Sequence, residues 1–317
     1  MPAIALVSKT SPEQRAALHA LAPGRLELID CSADRESLAA RGAAAEIVYG
    51  NVRAHERAAL TNLKWIHATW TGVENLLHPE LLERGILVTN TRGQVSVAMA
   101  EHALACILYA ARDLDAFRRA KAERRWKAGS QPRLLEGSRA LILGLGSIGA
   151  VLAGKLAALG VRVRGVNSDG RSAPPCDETC TLDAVREQLG DVDWLVCLLP
   201  ATAQTRKALD EAFFRALKPG ALVLNLSRGA VLDEAALLRQ LDAGHLSAAI
   251  LDVTDPEPPP PDSPLFAHPK VLLTGHESPR GQPDRTLAFE LFVHNLRCYL
   301  AGEISGMQSR VDPAKGY

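Results

Sequence analysis

The sequence carries no excess of either charge: 36 Lys and Arg balance 36 Asp and Glu across 317 residues. Such neutrality leaves no electrostatic footprint for nucleic acid or an anionic membrane surface, and neither is an expected partner. A long apolar run is also missing. The longest candidate, Ala103 to Ala111, is half of the roughly 18 residues a spanning helix needs, and Arg112 and Asp113 follow it. The start, Met1-Pro2-Ala3-Ile4-Ala5-Leu6-Val7-Ser8, lacks a basic n-region and reads as a first strand rather than a signal peptide. Clustered cysteines are absent too. Of the six, only Cys176 and Cys180 are close, and no second pair or nearby histidine completes a zinc set. No metal is expected; a surface loop is the reading of that pair. The remaining cysteines sit in apolar or strand-like contexts that suit a reducing, cytoplasmic compartment.

What is present is a chain of about two ordinary domains, 47% hydrophobic and so able to build a core. No repeat of solenoid length occurs. Apolar runs at 4–7, 26–29, 46–49, 65–69 and 87–90 read as strands, alternating with helical segments such as 12–21 and 79–84. That alternation predicts a small parallel α/β domain. A long helical stretch follows from about 95 to 125. A second α/β series then has strands at 140–143, 161–166, 194–199, 221–226, 248–253 and 271–274, with Gly220 and Gly244 as helix-ending glycines. The last helix, about 285–300, comes after this series and is free to pack back on the first domain. The predicted division is 1–97 plus 283–317 against 98–282. Six prolines between Asp255 and Leu265 read as a rigid loop joining two strands.

Gly144-Leu145-Gly146-Ser147-Ile148-Gly149 is a G-x-G-x-x-G, and its context gives it weight: a buried-strand run precedes it, a small-residue helix follows, then another strand. Gly144 suits the tight turn, Gly146 the close approach of backbone to a pyrophosphate, and Gly149 helix–strand packing. The helix start at Ser147, Ile148 and Gly149 offers N–H groups and a positive dipole to phosphates. The end of the second strand governs the choice of dinucleotide. An NAD site usually has an acid there for the ribose 2′-OH; here the chain reads Val166-Asn167-Ser168-Asp169-Gly170-Arg171. Asn167 stands in place of the acid, and Arg171 is near enough to pair with a 2′-phosphate, so NADP(H) is favoured over NAD(H). Asp169 keeps an NAD reading open if it turns inward.

Ligands in open α/β sheets bind beyond the carboxyl ends of the strands. Arg228, Glu257 and His276 each follow one of the last three strand runs, which puts all three on the edge that holds the fingerprint. Taken singly, each has an ordinary explanation as a helix-start ion pair, a solvated loop acid or a surface histidine. His102 reads as packing at the domain junction, and His67 and His78 lack metal-ligand spacing.

At this point the chain resembles the D-isomer-specific 2-hydroxyacid dehydrogenases along nearly its whole length. The resemblance runs through Asn90-Thr91-Arg92-Gly93, Met99-Ala100-Glu101-His102, the glycine fingerprint and Leu199-Pro200-Ala201-Thr202. It continues through Asn225-Leu226-Ser227-Arg228-Gly229, Leu251-Asp252-Val253, Glu257-Pro258 and His276 to Val311-Asp312-Pro313-Ala314-Lys315-Gly316-Tyr317. It implies a Rossmann-type doubly wound sheet, a smaller flavodoxin-like substrate domain and a homodimer formed through the cofactor domain. It also implies an Arg–Glu–His site that interconverts a 2-keto acid and its D-2-hydroxy acid. Histidine is the side chain best suited to giving a proton near neutral pH; Glu257 would stabilise its imidazolium, and Arg228 would clamp the substrate carboxylate. By the same resemblance, Thr71-Gly72-Val73-Glu74 is the loop that holds that carboxylate, Leu199 and Pro200 line the dinucleotide, and Asp252 holds the nicotinamide carboxamide.

Departures from the family pattern are Gly275, Glu277 and Ser278 around His276, Arg92 where proline is frequent, and Trp70 before the carboxylate loop. They leave the chemistry standing and bear on the substrate, for which glyoxylate and hydroxypyruvate are the expected type. Glutamate at position 257 argues against a formate dehydrogenase, which typically has glutamine there. The chain ends too soon for the regulatory domain of many phosphoglycerate dehydrogenases, and no basic cluster for a substrate phosphate is evident. An alternative from another class is a dinucleotide-sensing, corepressor-like binding protein with little turnover.

Overall fold

The structure, a computed structural model, describes residues 2–73, 76–281 and 285–312. The chain divides into two compact units, one of residues 1–94 and 284–317, the other of residues 95–283. Glu74 of the expected carboxylate loop, the expected boundary at 283 and the closing residues 313–317 lie outside the described residues.

The first unit is built on β1 (Ala3–Leu6), β2 (Glu27–Asp30), β3 (Ile47–Tyr49), β4 (Trp65–His67) and β5 (Leu87–Thr89). All pairings are parallel, in the order β2-β1-β3-β4-β5, which is the flavodoxin-like order. Parallel strands need helical crossovers, so both faces are covered and the strands read as apolar runs rather than alternating ones. The helix Pro12–Leu21 starts on a full capping box, Ser11 accepting from the Gln14 N–H and Gln14 accepting from the Ser11 N–H. One face of the sheet buries Ile4, Leu6, Ile47 and Trp65 against Phe289, Phe292 and Leu296. Those three belong to the helix Arg285–Ala301, so the last described helix does complete the first unit.

The second unit contains β6 (Arg139–Leu143), β7 (Arg162–Val166), β8 (Glu178–Cys180), β9 (Trp194–Cys197), β10 (Leu222–Asn225), β11 (Ala248–Leu251) and β12 (Val271–Leu273). Their order is β12-β11-β10-β9-β6-β7-β8, again all parallel: a doubly wound Rossmann arrangement with one strand added at the edge. On one face Met99, Ala100, Ala103, Ile107 and Ala111 of the helix Ser96–Ala111 pack with Leu152, Ala153 and Leu156 of the helix Ser147–Ala158. Small residues there let the two backbones approach closely.

Three expectations need correction. The long helical stretch is two helices, Ser96–Ala111 and Leu114–Ala122, because Asp113 takes a left-handed conformation (φ +47°) and turns the chain. Cys180 is not in a surface loop: it ends the edge strand β8, which has no apolar run to betray it. Gly220 is not a helix end, since the helix before it closes at Ala216; its left-handed φ serves the turn into β10, whereas Gly244 follows the helix Glu234–Asp242 as expected.

Within the first core lies a titratable group. His67 is fully buried, stacked on Tyr49 with ring centroids 5.9 Å apart, and its Nδ1 lies 2.8 Å from the Thr89 hydroxyl. Burial pushes its imidazole down to about 4. An unfolded histidine takes up its proton near 6.5, so between pH 6.5 and 4 the unfolded chain gains a proton that the native chain refuses. Stability supplied by neutral His67 is therefore complete above pH 6.5 and lost as pH falls, by about 3 kcal/mol at pH 4. Urea unfolding at pH 7 and pH 4.5 should show a smaller acid loss in His67→Gln than in the wild type; equal losses would rule His67 out as a source of acid sensitivity.

Candidate active site

The crevice of the seven-stranded sheet falls between β6 and β9, from which the chain winds away in opposite directions. Beyond these two strands the chains nearly touch. Gly144 has φ +107°, and a Cβ on it would lie 2.8 Å from the carbonyl oxygen of Leu198, so only glycine admits this approach. A Cβ on Gly149 would run into the carbonyl of Gly144, so Gly149 seats the helix Ser147–Ala158 against the turn. Gly146 differs: it is the N-cap of that helix, without a side-chain cap, and a Cβ there would project into open space. The first-turn N–H groups of Ser147, Ile148 and Gly149 have no intrahelical acceptor by geometry. Open space over such a helix start fits a bound pyrophosphate. Leu199 and Pro200 continue from β9 on the same edge, where the Pro200 carbonyl accepts from the Thr205 hydroxyl at 2.5 Å.

At the end of β7, Asn167 donates from Nδ2 to the Arg171 carbonyl at 2.8 Å, while its buried Oδ1 finds no partner. Ser168 is exposed, and the Arg171 side chain is 80% exposed, 3.8 Å from Asp169. Asp169 is itself exposed and accepts from the Arg171 N–H at 3.3 Å. This loop thus has an unused acceptor at its base and a guanidinium at its rim.

Arg228, Glu257 and His276 follow β10, β11 and β12, so the sheet brings them to one edge. Asn225, the last residue of β10, organises the turn that carries Arg228. Its Oδ1 accepts from the N–H and hydroxyl of Ser227, and its Nδ2 donates to the Arg228 carbonyl at 3.1 Å. Gly229 has no room for a side chain, since a Cβ would enter the backbone of Thr254. His276 Nδ1 lies 2.6 Å from Glu257 Oε1, both groups being partly exposed.

His276 sits at φ +59°, a conformation uncommon outside glycine, and Asp252 holds it there. Asp252 is 2% exposed. Its Oδ1 accepts from the Thr274 hydroxyl at 2.5 Å and the Glu277 N–H at 2.9 Å, and its Oδ2 from the Ser278 N–H at 3.1 Å. Its carbonyl accepts from the His276 N–H at 2.6 Å. Burial alone would raise this carboxyl, but the donors converging from the 274–278 segment hold it below the usual range. Sequence reasoning missed this role of Asp252 because its partners follow the neighbouring strand, more than twenty residues away; the local turn at Asn225, whose partners are Ser227 and Arg228, was missed as well.

Thr71, Gly72 and Val73 belong to the first unit, beyond β4. The Thr71 carbonyl accepts from Asn90 Nδ2 at 2.7 Å and its hydroxyl donates to the Thr91 carbonyl at 3.3 Å. The backbone N–H groups of Gly72 and Val73 donate to no described residue. Among the described residues no group of three His, Cys, Asp or Glu is arranged to hold a metal, and no helix is long and apolar enough to cross a membrane.

Residues 104–278 match the family model of the D-isomer specific 2-hydroxyacid dehydrogenase NAD binding domain. The chain belongs to the D-isomer specific 2-hydroxyacid dehydrogenases. As a member of that family it is an NAD(P)-dependent oxidoreductase. Glyoxylate reductase of Korarchaeum cryptofilum is 32% identical over 74% of this chain and 72% of its own length. The D-isomer specific 2-hydroxyacid dehydrogenase of Xanthobacter autotrophicus Py2, solved with NADPH and MES, superposes with a TM-score of 0.85 at 32% identity, covering 100% of this chain and 99% of that one. The NADPH-dependent glyoxylate/hydroxypyruvate reductase of Sinorhizobium meliloti, solved with NADP and sulfate, gives a TM-score of 0.84 at 28% identity over 100% of both chains.

The glycines separate fold from binding. Gly149→Ala should lose about 1–3 kcal/mol of stability through overpacking. Gly146→Ala should fold within about 0.5 kcal/mol of the wild type and raise the Kd for dinucleotide about tenfold or more. Thermal melts with fluorescence titration would test both; undiminished binding in Gly146→Ala would remove that residue from the phosphate cradle.

Proposed function

We propose that this dehydrogenase reduces a small 2-keto acid of the glyoxylate or hydroxypyruvate type to its D-2-hydroxy acid, with His276 as proton donor and NADPH preferred over NADH. The observation that carries this reading is the 2.6 Å contact between His276 Nδ1 and Glu257 on the edge that also presents the glycine fingerprint. The bound nicotinamide supplies a hydride to the carbonyl carbon. His276, its Nδ1–H given to Glu257, has Nε2 left to protonate the carbonyl oxygen. Glu257 fixes the tautomer and offsets the charge of the imidazolium before the proton leaves. Arg228, at the start of its own turn, supplies a fork that pairs with the substrate carboxylate and draws charge toward the carbonyl. The first unit is the substrate-binding domain in this reading, its Thr71–Val73 loop offering backbone N–H groups to the carboxylate. Residues 95–283 hold the dinucleotide, with Asp252 supporting the nicotinamide side of the site.

For NADPH, the support is local. A strand-end acid that would repel a 2′-phosphate is missing, the uncharged Asn167 standing in its place, and Arg171 and Ser168 are exposed beside it to take that phosphate. Rates at 340 nm with NADPH and NADH, against glyoxylate, hydroxypyruvate, pyruvate and phenylpyruvate, test the whole reading. His276→Asn should cut kcat about a hundredfold or more while dinucleotide binding persists, and Arg171→Ala should weaken NADPH far more than NADH. Near-normal turnover in His276→Asn would remove it as the acid. Dinucleotide binding without turnover of any acid would instead favour a sensor.

A homodimer through the second unit completes the proposal. Trp126 is 97% exposed, and Phe117 and Leu114, on the helix that precedes it, are 49% and 44% exposed. Large side chains grouped in this way mark an interface. Sedimentation velocity should show a dimer that Trp126→Ala weakens; a monomeric wild type would overturn it. Six cysteines without a disulfide suit a cytoplasmic, reducing setting.

A further inference from the structure

The carboxyl edge of the five-stranded sheet carries two side chains to which the reduction itself gives no task. β4 and β5 run in parallel with His67 level with Thr89. Past the strands the loops slip by two residues, so Trp70 comes level with Asn90 rather than with Arg92. The two loops stay joined there: the Thr91 N–H donates to the Trp70 carbonyl at 3.4 Å, and Asn90 and Thr91 hold Thr71 as described above. Trp70 leads into Thr71-Gly72-Val73, and Arg92 directly follows the two residues bonded to Thr71. The indole is 61% exposed. Arg92 is exposed as well, and its guanidinium makes no hydrogen bond or ion pair with a described residue.

We propose that Arg92 and Trp70 determine substrate choice at this loop, Arg92 taking a second anionic group on the acid and Trp70 lying along the carbons between the two anions. This rests on the reading of Thr71–Val73 as the holder of the 2-keto carboxylate. A guanidinium matches carboxylate and phosphate alike through paired N–H donors, and an indole face covers a short carbon chain without a polar partner of its own. Glyoxylate and hydroxypyruvate are handled by the common site and gain nothing from Arg92, whereas the pair extends the range to 2-keto acids with a second carboxylate or a phosphate.

The test compares kcat/KM within two pairs. Oxaloacetate and pyruvate differ by a carboxylate; 3-phosphohydroxypyruvate and hydroxypyruvate differ by a phosphate. In the wild type one dianion should exceed its partner, and Arg92→Gln should collapse that ratio about tenfold or more, chiefly through KM, with Arg92→Lys keeping part of it. The pair that collapses identifies the anion. Trp70→Ala should raise KM for both members of that pair, and an unchanged KM would remove the indole from the proposal. Ratios identical in wild type and Arg92→Gln would overturn the role of Arg92 while leaving the reductase intact. If the wild type turns over no keto acid, the reductase reading falls and this inference falls with it.

Discussion

The site depends on one buried carboxylate. Asp252 leaves β11 with its charge out of water, a state that costs several kcal/mol unless donors surround it. The segment beyond β12 supplies those donors from Thr274, Glu277 and Ser278. The strand ends are thereby locked together, and His276 is held in the left-handed conformation from which its ring reaches Glu257. An apolar residue at 252 would leave the same N–H groups pointing at nothing. Ordering this turn before any ligand arrives is what allows a partly exposed histidine to meet its carboxylate at hydrogen-bonding distance. Asn225 does for Arg228, with an uncharged amide, what Asp252 does for His276.

Close packing of backbone is the second constraint. Gly144 and Gly229 each mark a place where one strand end passes another with no room for a side chain. The strand ends are close-packed for this reason. Gly146 shows the opposite case, a glycine that the protein itself does not require sterically.

Much of this was legible in the residues. Eleven of the twelve strands stand out as apolar runs, most of them buried on both faces, and β8 escaped because Glu178-Thr179-Cys180 is three residues at a sheet edge with a single apolar side chain. The turn at Asp113 escaped because neither glycine nor proline announces it. At the site, residue types after successive strands were enough to group Arg228, Glu257 and His276. The hydrogen bonds beneath them were not readable, since Asp252 and Ser278 are 26 positions apart and meet only through the register of β11 with β12. The unpartnered oxygen of Asn167 likewise follows from how its amide turns toward Arg171, which no spacing encodes.

The first unit is assembled from two pieces of chain, and this has a consequence for biosynthesis. β1 to β5 leave the ribosome early, yet the helix that covers Ile4, Leu6 and Trp65 with Phe289, Phe292 and Leu296 is translated only after the entire second unit. The second unit is continuous and can close its own core as it emerges. The nascent chain therefore carries an uncovered apolar sheet face throughout the synthesis of the Rossmann unit. The portion made first is the last to finish folding.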